Sequence, residues 1–296
     1  MPTVTVEHKD WHSARKRDAR VGGCGIAKPT RNTRVSSIPT ASGAITRVAY
    51  ARAIDAGLDV EPLLKASGLS VRQVENSNFR IAVKNQIKFL NFVADALSDE
   101  FLGVHLAEGV DLRALGLIYY VLASSTTLGD ALRRASRYSA INNEGVQITF
   151  RENPKQISII FKYIAVARLI DRHQIEFFVV ALLRICRQLT DRHLSPMTIK
   201  LIHRRAHLPV RLKSLLGCKV MFGSDIDEIA YRQPFKNASI GDADPYLNSL
   251  LVKYCEEAIS NHRAGSGAWR LNVENAIAPL LPAAGRKWRR LLRGSA

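Results

Sequence analysis

The residues that bind metals or form disulfides in other proteins are few and widely spaced in this chain. It has four cysteines, none of them in a CxxC pair: Cys24, Cys186, Cys218 and Cys255. His203 and His207 stand four residues apart, which on a helix would place both side chains on one face. An apolar strand pattern runs into this pair, however, and no third ligand is evident. We therefore expect reduced, unreactive thiols, no metal site and no cofactor.

No group of residues typical of catalysis stands out. The motifs HExxH and GxSxG are both absent from the sequence, and serine, histidine and aspartate residues are scattered as in any chain of this length. An enzyme with an α+β core is an alternative, but no acid, base or nucleophile occurs in a recognisable spacing to support it. We predict that the protein is not an enzyme.

The 296 residues carry a formal charge of +17, which is concentrated at the two ends of the chain. Residues 1–37 hold eight basic and three acidic side chains and residues 262–296 hold seven and one, so only +6 belongs to the 224 residues between them. The positive charge therefore does not predict that the folded body binds nucleic acid. No window reaches the ~18 uncharged apolar residues of a membrane helix, and the charged N-terminus does not resemble a secretory signal. We expect a cytoplasmic protein without membrane contact.

Apolar periodicity separates the N-terminal segment from the rest of the chain. Residues 1–37 mix basic runs with glycine and show no apolar period, which predicts a disordered basic extension. Helical periods then follow, and the strongest covers residues 171–190, where Cys186 lies on the apolar stripe and is expected in the core. Further helices are predicted over residues 42–56, 83–97, 127–138, 209–216 and 244–260.

Alternating apolar and polar residues predict strands in the second half of the chain. Residues 146–150 and 157–163 alternate on either side of a turn at Glu152–Lys155, which is the pattern of a β-hairpin. A strand is predicted at 197–201, and two short apolar pieces follow it at Cys218–Phe222 and Ile226–Tyr231. The combination predicts an α+β fold, a helix-rich domain with a small antiparallel sheet covered by helices.

Several segments together carry a resemblance to a known family. They are Asp111–Gly116, Thr127–Leu132 with Tyr138 after it, Phe222–Asp225 and Val273–Pro282. Their order and spacing resemble the AraC/XylS-type bacterial transcription regulators whose N-terminal portion is called the arabinose-binding type. The resemblance covers about residues 38–282.

The resemblance implies a division of the chain. Residues 38–262 would form an effector-sensing and dimerisation domain, 263–270 a linker, and 271–296 the first helix of a DNA-binding domain with a basic tail. In the family, that domain holds two helix-turn-helix units and needs on the order of 100 residues. Because 14 residues follow Pro282, we expect a truncation or a shifted reading frame there. DNA binding would then be weak and non-specific, through the tail residues Arg286, Lys287, Arg289 and Arg290.

The resemblance also implies a small-molecule effector bound in the N-terminal body. Five residues ahead of the hairpin are candidates for binding it: Arg113, Tyr119, Tyr120, Tyr138 and Asn142. Arg113 would grip a carboxylate with two hydrogen bonds, and the tyrosines would offer hydroxyls at the end of an apolar wall. The alternative is that Tyr119 and Tyr120 belong to the core and that Arg113 is a surface residue or part of a structural ion pair.

We therefore predict the effector-sensing part of an AraC-type regulator, which binds a small molecule and dimerises, and whose sequence-specific DNA binding is lost or incomplete. Its partners would be an effector of unknown identity and either a second copy or a full-length relative, which it would draw into non-functional dimers. The alternative is a stand-alone small-molecule-binding protein without a transcriptional role.

Overall fold

A computed structural model describes residues 38–166, 168 and 170–263 of the chain. The predicted N-terminal extension, the helix at 273–282 and the basic tail lie outside these residues. Ten α-helices are described: α1 (Ala44–Asp55), α2 (Val60–Ala66), α3 (Val71–Glu75), α4 (Val83–Ala96), α5 (Leu102–Gly109), α6 (Leu117–Ala123), α7 (Leu128–Asn142), α8 (Arg172–Thr190), α9 (Val210–Leu216) and α10 (Pro245–Arg263). Short 3-10 helices cover Leu112–Leu115 and Gln233–Asn237.

The described strands form two sheets. They are β1 (Thr40–Ala41), β2 (Ile81–Ala82), β3 (Val146–Glu152), β4 (Gln156–Tyr163), β5 (Thr198–Leu201), β6 (Lys219–Phe222) and β7 (Asp227–Arg232). Strands β1 and β2 pair with each other, and the other five have the order β3-β4-β7-β5-β6. These elements confirm the predicted α+β fold.

The five-stranded sheet is antiparallel except at one edge, where β6 runs parallel to β5. The sequence pattern predicted an antiparallel sheet and did not indicate this pair. Helix α9 lies between the two strands in the sequence. The chain thereby returns to the edge of the sheet at which β5 begins, and β6 runs in the same direction as β5. A parallel neighbour requires such a crossover, and strands as short as β5 and β6 do not reveal their direction by alternation alone.

Helix α8 is the central helix of the fold, because nearly all of its sides are covered. Fourteen of its 19 residues are buried. This is more than the number of buried residues that a single apolar stripe would give. Cys186 is 1% exposed, which confirms its predicted place in the core, and burial raises the pKa of its thiol to about 12. The buried positions outside the predicted stripe are both apolar and polar, and the polar ones include Gln174 and Glu176.

Helices α5 and α8 touch through their backbones. A β-carbon added to Gly103 of α5 would lie 1.9 Å from the carbonyl oxygen of His173 in α8. Real β-carbons never approach a carbonyl so closely, because the atoms would overlap. Glycine is therefore required at position 103 by the packing of the two helices.

Two predicted helix starts differ in detail from the structure. Thr127 caps α7 by accepting a hydrogen bond from the Asp130 backbone N–H at 3.2 Å, which is one of the two bonds of a capping box. The return bond joins the Thr127 hydroxyl to Asp130 Oδ2 at 2.7 Å, and so differs from the backbone bond that glutamate makes in the usual motif. Helix α9 begins at Val210, so Pro209 is its N-cap rather than its first residue.

Candidate functional site

A cleft opens where α1 begins, between that helix, α4, the end of α7 and α8. The space between its walls is about 250 Å³ when the open solvent at its mouth is included. Its walls combine apolar and uncharged polar side chains: Ala41, Ser42, Ala44, Ile45, Gln86, Leu115, Asn142, Asn143 and Phe178. Largely apolar walls with a few polar groups are typical of small-molecule sites.

The first turn of α1 forms one wall of this cleft, and no side chain in the described part of the protein caps it. Its N-cap is Gly43, in the left-handed conformation with φ of 74°, which glycine adopts without steric cost. A β-carbon at Gly43 would also meet Ile81 at 2.9 Å and Arg47 Nη1 at 3.0 Å. The Arg47 guanidinium therefore lies against the start of the helix, and its Nη2 donates to the Ser42 carbonyl at 3.0 Å.

Two consecutive asparagines at the end of α7 form the opposite wall. Asn142 is fixed by its Nδ2, which donates to the Leu115 carbonyl at 3.0 Å, and its own carbonyl accepts from Ser42 N–H at 2.8 Å. Asn143 is 4% exposed, and its Oδ1 accepts from Gly145 N–H at 2.9 Å. Within the described part of the chain, Asn143 Nδ2 has no hydrogen-bond partner. An unsatisfied buried donor is costly in a folded protein, so it identifies Asn143 as a candidate ligand contact.

A chain of buried side-chain hydrogen bonds starts at Gln86 in the cleft wall and runs to the sheet. Thr46 donates to Gln86 Oε1 at 3.1 Å, and Gln86 Nε2 donates to Gln174 Oε1 at 2.7 Å. Gln174 Nε2 then donates to the Tyr163 hydroxyl at 3.0 Å. These four residues belong to α1, α4, α8 and β4, so the chain connects the cleft with the five-stranded sheet.

Charged residues lie beyond the far end of this chain. The Arg168 guanidinium lies 4.3 Å above the Tyr163 ring and pairs with Asp227 and, at 3.1 Å, with Asp171. Burial raises the pKa of Asp171 to about 6, although the charge of Arg168 lowers it. This ion cluster is separate from the cleft, and none of the described residues that line the cleft is charged.

Of the five residues predicted to bind an effector, Asn142 alone lines this cleft. Arg113 is exposed and is bound through two of its nitrogens to Asp111, and its hydrogen bonds lower the pKa of that carboxyl. Tyr119 is buried, and its hydroxyl accepts from Gln188 Nε2 at 2.8 Å.

The other two tyrosines have separate surroundings. The Tyr120 ring packs edge-on against the Tyr119 ring at 5.4 Å. The Tyr138 hydroxyl donates to Glu256 at 2.6 Å, and burial together with this carboxylate raises the pKa of Tyr138 to about 12. The five candidates therefore contact different partners in the structure and do not share one pocket wall.

Three residues of this cleft were not among those predicted to bind an effector: Asn143, Gln86 and Phe178. A signal for Gln86 was present, because it stands three residues after Val83 on the apolar face of α4 and is 1% exposed. A polar residue on such a face has to find a partner inside the protein. The first turn of α1 offered no comparable signal, because its wall is made by backbone and by small side chains.

A second cleft of about 300 Å³, including its mouth, lies between α5, α8, α9 and the strands β5 and β6. Its lining is apolar apart from Glu176. Arg205 binds both oxygens of Glu176, at 2.7 and 2.8 Å, and His203 Nε2 binds Oε1 at 2.9 Å. Burial raises the pKa of Glu176, but the hydrogen bonds from His203 and Arg205 outweigh it and leave the pKa below its usual range.

The second cleft is the weaker candidate for a ligand site, because Glu176, the one polar residue in its lining, already binds His203 and Arg205. It also accounts for the histidine pair that the sequence singled out. His203 is a hydrogen-bond partner of Glu176, and His207 packs edge-on against Phe101 at 6.2 Å. Among the described residues, no group of three or more potential ligands could hold a metal ion.

Comparison with protein families gives the context for these clefts. The model of the N-terminal arabinose-binding domain of AraC transcription regulators matches residues 57–236, which is more than half of the chain. The chain belongs to this family. The arabinose-binding domains are parts of transcription regulators rather than a class of enzymes. Five residues of the first cleft lie inside the matched range, whereas the wall from Ala41 to Ile45 precedes it.

Comparisons with individual proteins add less. No curated protein matches the sequence. Among solved structures, the crystal structure of the transcriptional regulator CdpR from Pseudomonas aeruginosa is similar, with 16% identity and a TM-score of 0.44 over 54% of each chain. The matching part of this chain thus spans about half of that protein's length. No described helix is long and apolar enough to span a bilayer.

Proposed function

We propose that this chain is the effector-sensing part of an AraC-type transcription regulator and that the cleft at the start of α1 binds a small molecule. The observation that carries the proposal is Asn143, a buried side chain in the cleft wall whose Nδ2 has no partner in the described structure. A bound ligand supplies that partner. It also contacts α1, α4, α7 and α8 at once, and the chain from Gln86 to Tyr163 extends this contact to the sheet.

The proposal assigns no DNA contact to the described body, which carries little of the chain's positive charge. The basic tail residues Arg286, Lys287, Arg289 and Arg290 remain the proposed contacts, weak and non-specific. A stand-alone ligand-binding protein would use the same cleft. A reporter for an intact paralogue separates the two roles, because only a regulator part alters its output when co-expressed.

Filling the cleft abolishes the response to effector. Ala44 lines the cleft and is half-buried, so an indole in Ala44→Trp occupies the ligand's space. A ligand at 100 times its Kd stabilises the wild type by about 2.7 kcal/mol, which raises Tm by roughly 5–10 °C. We expect a thermal-shift screen of small metabolites to find such compounds for the wild type and no response in Ala44→Trp.

The matched control for this screen is Ala51→Trp, on the exposed side of the same helix. It adds the same indole without reaching the cleft, so it should retain the full ligand response. Compounds that stabilise Ala44→Trp as strongly as the wild type would show that the cleft is not the effector site.

We assign self-association to the outer face of α10. The inner face of this helix is buried through Leu251, Cys255 and Ala258, whereas Tyr246 is 74% exposed and Leu250 is half-buried one turn further. Helix α8 has little surface left for a partner, because its sides are covered.

Charge on the outer face of α10 should therefore separate the subunits. Carboxylates introduced by the double change Tyr246→Asp and Leu250→Asp would have to be desolvated in the dimer, so we expect at least about a tenfold weaker association in sedimentation velocity. The control is Val210→Asp in α9, which places a carboxylate at a site that is 77% exposed. Equal dissociation constants for the double variant and the wild type would contradict this assignment.

A further inference from the structure

We propose that the cleft at the start of α1 selects a ligand that combines a small apolar body with one carboxylate. This inference rests on the proposed function of the cleft and adds the chemical class of its ligand. Three independent features of the site point to it: an unpaired buried donor, an uncapped helix N-terminus beside an arginine, and apolar walls.

The donor is Asn143 Nδ2. The orientation of its amide is fixed, because Oδ1 accepts from Gly145 N–H at 2.9 Å. The –NH₂ group therefore keeps both hydrogens for a ligand, and such a group can only donate. An ammonium group on the ligand, which can only donate, would not satisfy it, whereas an oxygen acceptor would.

The start of α1 adds a positive electrostatic potential to the same cleft. The first N–H groups of a helix have no intrahelical partner, and the helix dipole places about half a positive charge there. No side chain of the described residues caps this end of α1, and its first two residues, Ala44 and Ile45, line the cleft. The Arg47 guanidinium lies against Gly43 at the same place. Both features favour an anionic oxygen over a neutral one.

The other residues around the cleft determine the charge and polarity of the rest of the ligand. Among the residues that the structure describes, no carboxylate lines the cleft. The nearest in sequence, Glu144, is engaged by Thr40, whose backbone N–H and hydroxyl both donate to its Oε2. Ile45, Leu115 and Phe178 supply apolar wall, which favours a hydrocarbon body. The limited space selects a body of a few carbon atoms.

Hexanoate and hexanamide test this inference, because they share one alkyl chain and differ in charge. At about pH 7.5 the acid is fully ionised. Titration calorimetry on the full chain should show hexanoate binding at least ~10-fold more tightly than hexanamide. In Asn143→Asp, which retains the oxygen that accepts from Gly145 N–H but replaces the donor with a carboxylate, hexanoate affinity should fall ~100-fold or more.

The matched control is Asn153→Asp. Asn153 also accepts backbone N–H bonds through Oδ1, but it lies in the exposed turn between β3 and β4, so the same substitution there should leave hexanoate affinity unchanged. Absence of hexanoate binding, or an Asn143→Asp variant that binds it as the wild type does, overturns the inference.

Two further outcomes separate the inference from the proposed function. Equal binding of both probes, abolished by Ala44→Trp, overturns the carboxylate preference and leaves the sensing cleft supported. Hexanoate binding that Ala44→Trp does not weaken overturns both proposals.

Discussion

Replacing Glu176 with glutamine should lower the free energy of unfolding by about 3–5 kcal/mol, because it leaves a buried arginine without its counter-charge. The side chains of Arg205 and Glu176 are 5% and 4% exposed. Glutamine has the shape of glutamate, so the loss reports charge and hydrogen bonding rather than a cavity. Urea denaturation followed by circular dichroism measures it.

An exposed ion pair provides the control for this measurement. Arg211 binds Glu108 at 3.3 Å, and the Arg211 side chain is 76% exposed. Because exposed pairs contribute at most about 1 kcal/mol, Arg211→Ala should leave stability almost unchanged. A Glu176→Gln variant that loses no more than this control would contradict the role of the buried cluster in holding the segment 202–209 against α8.

The second large effect is expected at Gly103. Alanine there places a β-carbon 1.9 Å from the His173 carbonyl oxygen and 2.7 Å from its carbon, and neither backbone atom can move without displacing α8. Helices α5 and α8 must separate, so we expect a loss of about 2–3 kcal/mol in the same denaturation experiment.

Gly109 is the matched control on the same helix. A β-carbon added there meets nothing within 4 Å, so Gly109→Ala should be neutral or stabilise the protein by up to about 1 kcal/mol. If Gly103→Ala were as stable as Gly109→Ala, the backbone contact between α5 and α8 would not exist in solution.

The elements of the fold were predictable where one residue period was sustained. The hairpin of β3 and β4 followed from its alternation, and α8 from a stripe sustained over 19 residues. The direction of β6 was not predictable, because alternation over four residues shows which face is covered but not which way the strand runs beside its neighbour. The burial of the polar side of α8 was not predictable either, because glutamine and glutamate usually lie at the surface. Gln174 and Glu176 are buried because they have hydrogen-bond partners inside the protein.

The candidate site was predictable only in part, because its walls come together from distant parts of the sequence. Asn142 was selected, yet the residues that face it, Ser42 and Leu115, are 100 and 27 positions away. Arg113 was selected for its ability to bind a carboxylate, and in the structure Asp111 already occupies it. Sequence spacing identifies which residues have suitable chemistry, but the partners that satisfy them depend on tertiary packing.

A crystal structure of the full chain with a compound from the thermal-shift screen tests the central claim most directly. We expect ligand density between Ala44, Asn143 and Phe178, with an oxygen of the ligand within hydrogen-bond distance of Asn143 Nδ2. Density in the second cleft, between Phe101 and Leu216, or on the surface, with the cleft at the start of α1 unchanged, would contradict it.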